Sequence, residues 1–209
     1  MSAAVPIRRT QAERRTATRR RILDAALECL ATLGYAGTTT TVVAERARVS
    51  RGAELHHYPT RSALIGAAVQ HLFANLTLAY ERAFTRLPPE IDRVGAAIDL
   101  LWKIYQDPRL TAVLELHVAA RTDAELRAAL APIASRHHAN VVRLARGYFP
   151  DAAAALADFD ALLDLVLDAL QGMAVRRLIP IDRHAMERSL DAVKRVARAA
   201  ISGHRRGRT

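Results

Sequence analysis

Arg51, His56 and His57 lie within one seven-residue stretch, with Gly52 and Ala53 beside them. Together they offer a guanidinium fork and two imidazoles. Such a set suits recognition of base edges and phosphates. Arginine can pair bidentately with guanine, a contact worth roughly 1–3 kcal/mol of discrimination. Each histidine can donate to a phosphate oxygen or a base acceptor. Gly52 and Ala53 would let the backbone come close, and the Ala53 methyl could touch that of a thymine.

The charge balance agrees. Net charge is +10 with a sequence pI near 10.8, which favours polyanionic partners. Residues 1–61 carry eleven basic and five acidic side chains, so more than half the excess sits in under a third of the chain. Catalytic chemistry has far less support. There is no Gly-rich phosphate loop, nucleophile elbow or metal-spaced Cys/His set. His137 and His138 are adjacent, so on a helix they diverge by about 100° and are poorly placed to share a metal. No carboxylate pair stands in a recognisable acid/base frame. The chain therefore reads as non-enzymatic, with neither metal nor cofactor.

Cys29 is the only cysteine, which excludes an intrachain disulfide and suits a reducing cytoplasm. The arginines at positions 8, 9, 14, 15, 19, 20 and 21 are followed by none of the apolar sequence that a secretory leader needs. No run approaches the roughly 20 apolar residues of a bilayer span. A cytoplasmic protein without a membrane partner is expected.

The elements that must position Arg51–His57 are helical. The composition is 51% hydrophobic and 5% aromatic, rich in Ala, Leu and Arg, and β-branched residues rarely cluster. An all-α protein of about nine helices is expected. A basic arm over residues 1–12 leads into a helix carrying Ile22, Leu23, Ala26, Leu27, Leu30 and Leu33 at spacings of three and four. Gly34 supplies a left-handed stop. Short helices follow at about 42–48 and 51–57, with Ser50 as the cap between them and Tyr58-Pro59-Thr60 closing the unit. Three small helices need something to rest on, and a helix over 61–87 supplies it. Further helices are expected at 90–106, 108–121, 123–147, 152–178 and 182–202, with Pro132 kinking or splitting the third of these. The domains read as 13–60 for the helix-turn-helix and 61–203 for a helical regulatory unit, with a basic tail at 204–209.

A short helix, a tight turn and a second short helix outline a helix-turn-helix, whose second helix fits the major groove. The residues go further. Leu33-Gly34-Tyr35-Ala36-Gly37-Thr38-Thr39, Val43-Ala44, Val49-Ser50-Arg51-Gly52-Ala53, Leu55-His56-His57-Tyr58-Pro59-Thr60-Arg61 and Ala63-Leu64 together resemble the TetR family of bacterial transcriptional regulators. The resemblance covers residues 18–65 closely. It implies a groove-facing helix at Arg51, Gly52, Ala53, Leu55, His56 and His57. It also implies that Thr40 and Thr41 approach the phosphate backbone, as does Arg61 at the start of the support helix. Three positions depart from the family pattern. Arg48 replaces a turn glycine, which would place a non-glycine residue at positive φ. Leu55 replaces a common tyrosine. Glu54 replaces an apolar or amide residue and is expected to turn from phosphate, toward Arg51 or an arm arginine.

For the second half, the resemblance implies a small-molecule pocket and a dimer whose effector changes its affinity for a palindromic DNA operator. Tyr80, Trp102, Tyr105, His117 and Arg121 are candidate effector contacts, having bulk and a polar handle on otherwise apolar helices. The same residues could equally be plain core. Leu163, Val166, Leu170 and Met173, with Leu190, Val193 and Ala197, recur at helical spacing on the last two helices and suit a homodimer interface. Such helices could instead pack only within one subunit. The leading reading is a ligand-responsive repressor. An activator or effector-independent regulator of the same fold is the nearest alternative, and a helical RNA- or anionic-membrane-binding protein acting through its arm is the more distant one.

Overall fold

The computed structural model describes residues 10–179 and 182–206, the side chains of Leu55 and of residues 203–206 excepted. Ten helices and no strand occur among the described residues. They are α1 (Gln11–Gly37), α2 (Thr40–Ala47), α3 (Arg51–His57), α4 (Arg61–Thr85), α5 (Arg93–Tyr105), α6 (Pro108–Ala119), α7 (Ala124–Tyr148), α8 (Pro150–Ala155), α9 (Phe159–Arg176) and α10 (Arg183–Arg206).

Most starts are written in polar side chains. Thr10 and Glu13 form a reciprocal capping box, which begins α1 two residues inside the expected arm. The rest of that arm, residues 1–9, lies outside the described residues. Thr39, Thr60, Asp92, Asp107 and Asp123 each accept a backbone N–H at the start of the following helix. Gly34 has φ 69° and ψ −178° inside α1, a positive-φ kink in place of the left-handed stop expected there, and the helix resumes and runs on to Gly37.

Three expectations of helix bounds need adjusting. Of the two outcomes expected at Pro132 the split does not occur, and α7 runs through it unbroken. Pro132 and Ala128 both lie on the exposed face, where the carbonyl left without a partner remains accessible to solvent. The helix expected over 152–178 is two, α8 and α9, parted at Leu156–Asp158 where Leu156 is extended and Phe159 turns inward to 5% exposure. α10 continues to Arg206, into the expected tail.

Two apolar clusters hold the chain. The larger joins α1, α2, α4, α6 and α7 around Ile22, Leu27, Val43, Leu64, Leu72, Leu116 and Leu126. The smaller joins α5, α9 and α10 around Ile98, Leu170 and Met186. α4 is long and apolar enough to cross a bilayer by length and composition, contrary to the expectation that no run comes close. Its apolar residues Leu64, Ile65, Val69 and Leu72 are instead buried in the larger cluster.

Candidate nucleic-acid interface and effector cavity

α2 and α3 meet through a three-residue turn. Arg48 closes α2 in the left-handed conformation (φ 53°, ψ 48°), with its N–H directed to the carbonyls of Ala44 and Glu45. This is the positive-φ arginine that the missing glycine implied. Val49 and Ser50 follow, and Ser50 Oγ accepts the Ala53 N–H at 3.2 Å to start α3. Tyr58 ends α3 as a buried plug whose hydroxyl accepts from Arg19 Nε at 3.1 Å, tying α3 back to α1.

The outer face of α3 presents Arg51, Gly52 and His56 to solvent, with Ala53 and His57 half-buried at its edges. A Cβ built on Gly52 would meet nothing within 4 Å. Thr41 is exposed and Thr40 half-buried at the start of α2. Burial holds the His57 imidazole below its ordinary pKa, and the nearby Arg15, His56 and Arg19 push it the same way. His57 is therefore a neutral donor or acceptor near pH 7. The side chain of Leu55 lies outside the described residues.

Two head residues behave differently from expectation. Arg61 turns inward: Nε donates to the Thr38 carbonyl at 2.8 Å, Nη2 donates to the Tyr35 carbonyl, and the guanidinium lies 4.0 Å over the Tyr35 ring. Glu54 does turn away from the outer face, but no arginine receives it. It is 0% exposed, and neither carboxylate oxygen has a hydrogen-bond partner among the described residues. Burial raises its pKa, and Arg51 opposes this only in part.

The second site is a partly open cavity of about 440 Å³ lined by α4, α5, α6, α7 and α9. Of the candidate effector contacts, Tyr80, Tyr105 and His117 line it. Trp102 and Arg121 do not. Trp102 packs on the smaller cluster beneath Arg177, whose guanidinium is 5.8 Å from the ring, and Arg121 is exposed beyond the end of α6. The sequence reading missed His137, His138, Tyr148, Asp164 and Asp168, all of which line the cavity. Adjacency argued only against His137 and His138 sharing one metal, and the cavity uses them separately. His137 stacks on Phe73 at 3.9 Å, while His138 Nδ1 lies 3.7 Å from Asp164 Oδ1. No group of three His, Cys, Asp or Glu suited to a metal occurs among the described residues.

Head and cavity share α6. Leu110, Val113, Leu114 and His117 reach the cavity, while Glu115 Oε1 accepts the Tyr35 N–H at 2.8 Å. The Tyr35 hydroxyl donates to Asp123 Oδ2 at 2.8 Å, beside the start of α7.

The supposed dimer residues divide. Val166, Leu170, Met173 and Ala197 are buried inside their own chain, in the smaller cluster, so they are not an outward surface. Leu190 and Val193 pack against the same cluster and are half-buried, as is Leu163. Among the described residues, the large apolar side chains of α9 and α10 that face solvent are Leu165 (56% exposed), Val175 and Val196 (52% exposed). α9 is apolar on two faces, and periodicity alone does not tell which one turns inward.

Comparison with known proteins agrees with this geometry. Residues 22–68 match the family model described as bacterial regulatory proteins, tetR family. Across 96% of this chain and 99% of the relative, it is 31% identical to the HTH-type transcriptional regulator CymR of Pseudomonas putida. An uncharacterized HTH-type transcriptional regulator of Mycobacterium bovis is 27% identical over 81% of this chain and 87% of its own. Among solved structures, a transcriptional regulator from Rhodococcus sp. Rha1 superposes with a TM-score of 0.66 at 20% identity, covering 86% of this chain and 95% of that one. The multidrug binding protein EbrR complexed with imidazole gives 0.58 at 26% identity, covering 85% and 93%. The chain belongs to the TetR family of helix-turn-helix transcriptional regulators.

Proposed function

We propose that the chain is a ligand-responsive repressor that grips a palindromic operator as a homodimer and loses affinity when a small molecule fills the cavity. The observation that carries this is α6, which has His117 at the cavity and Glu115 on the backbone of the DNA-reading head. A ligand can shift the balance only by its different affinity for the two head arrangements, and α6 is where such a difference can be felt. EbrR, which is bound to imidazole in one structure and proflavin in another, lends support from a relative.

In this reading Arg51 and His56 meet base edges, with Gly52 and Ala53 allowing close approach and Leu55 and His57 completing the face. Thr40 and Thr41 sit against phosphate. Arg61 holds the α1–α2 corner, and its role toward DNA is to fix that corner. Leu165, Val175 and Val196 form the centre of the dimer surface, flanked by Leu163, Leu190 and Val193. Residues 13–60 are the reading head and 61–203 the regulatory unit.

The test is selection of genomic fragments by the purified chain, followed by titration of a bound duplex. Expected are inverted half-sites about one helical turn or a multiple apart, bound by two chains. A chain that stays monomeric, or that holds random and selected duplexes equally at every salt concentration, would overturn the proposal.

A further inference from the structure

We propose that the cavity takes a planar organic cation rather than an acid. This rests on the effector reading above and adds the chemical class.

The lining carries charge of one sign. Half-exposed Asp164 and exposed Asp168 stand one turn apart on α9 at the solvent side of the cavity, and no lysine or arginine lines it among the described residues. Two of the three lining histidines add no charge: desolvation lowers the pKa of His117 and of His137, the latter with help from His138, so both are neutral near pH 7. The third, His138, faces Asp164 at 3.7 Å and leaves Asp168 without a histidine opposite it. Burial also pushes the Tyr105 hydroxyl up to about 12, with the Asp168 charge adding to it, so that phenol stays a neutral donor. An entering carboxylate or phosphate would face two like charges and no lysine or arginine. The chain as a whole carries +10, so the cavity reverses the sign of its surroundings.

The remaining lining favours a flat cation. Phe73 and His137 are stacked at 3.9 Å, and the Tyr80 and Tyr148 rings stand 6.1 Å apart at the other end. Ring faces attract cations, and more strongly where water is excluded. Asp164 already has His138 at 3.7 Å, which leaves the exposed Asp168, near enough for its charge to raise the Tyr105 pKa, as the carboxylate for the ligand's N–H. A volume of about 440 Å³ accommodates a fused three-ring skeleton.

The experiment compares two fluorescent probes of similar shape, 9-aminoacridinium and anthracene-9-carboxylate, on the full chain without DNA. The cation is expected to bind at least about tenfold tighter, a difference of ~1.4 kcal/mol. Asp168→Asn should weaken the cation by about the same factor and leave the acid unweakened. Ala145→Trp, with Thr77→Trp as its substitute should it not fold, fills the cavity and should abolish binding of whichever probe enters. Equal or tighter binding of the acid, or indifference of the cation to Asp168→Asn, overturns the class. If the acid is tighter and Ala145→Trp still abolishes it, the effector site stands without the cation. If neither probe binds, or neither responds to the filled cavity, both readings fall.

Discussion

Glu115 accepts the backbone N–H of Tyr35, eighty residues away, at 2.8 Å, and the same carboxylate lies 3.0 Å from where a Cβ on Gly34 would be. The bend in α1 and the carboxylate of α6 therefore fit only as a pair. Glu115→Ala leaves that N–H without its partner, and Glu115→Gln keeps an acceptor. We expect Glu115→Ala to lower stability by about 1 kcal/mol and to reduce the ligand-induced change in operator affinity, with Glu115→Gln near wild type on both. Thermal melts and DNA titrations with and without ligand measure this. Equal coupling in all three proteins would remove Glu115 from the link.

Glu54 sets a pH dependence. Its folded pKa lies above the ordinary value of 4.5, so burial favours the protonated acid. Stability from this group is fully present below the unfolded pKa and is lost as pH rises through the folded one. Glu54→Leu should be more stable than wild type at pH 7.5 by about 1–3 kcal/mol, the cost of a buried unpartnered polar group. That gap should close toward pH 4. Melting curves across this range decide it, and a gap that widened on acidification would contradict the burial argument.

Arg51 and the N-terminal arm should separate on salt. Arg51→Ala is expected to relax base preference at one operator position by roughly 1–3 kcal/mol. Deleting residues 1–9, which spares the Thr10 cap, should weaken all duplexes alike and flatten the dependence of affinity on salt. Titrations on matched operator variants at several ionic strengths distinguish the two. Were Arg51→Ala to weaken every sequence equally, Arg51 would be a phosphate contact.

The two faces of α9 should fail in different ways. Leu165→Glu, with Leu165 56% exposed, should yield a folded monomer in sedimentation equilibrium. Leu170→Ala, at a position 0% exposed, should cost about 2–5 kcal/mol through the cavity it leaves. A Leu165→Glu protein that stays dimeric would place the interface elsewhere.

The reading head was legible in the sequence because its punctuation is local. Gly34, Ser50, Pro59 and Thr60 each act within a few residues, and even the strained Arg48 followed from a missing glycine. The inward turn of Arg61 was not legible, since its partners are carbonyls 23 and 26 residues back that converge only once α1 bends. The break before Phe159 carries neither Gly nor Pro to announce it. The cavity was half legible. Aromatic bulk marked Tyr80 and Tyr105, whereas Asp164 and Asp168 look like any solvated charges until α9 is laid beside α5 and α7. The choice between Val166 and Leu165 as the outward residue needed the packed helices themselves.

α4 begins at the clamp of Arg61 on the head and passes Tyr80 at the cavity before it ends, all in one unbroken run of 25 residues. A straight helix of that length measures about 37 Å, so a tilt of only about 5° carries its far end through roughly 3 Å. A hydrogen bond to a base edge tolerates far less displacement than that. Under the proposed repressor reading, leverage of this kind lets a ligand that shifts the cavity wall by little spoil the fit of two reading helices in a duplex.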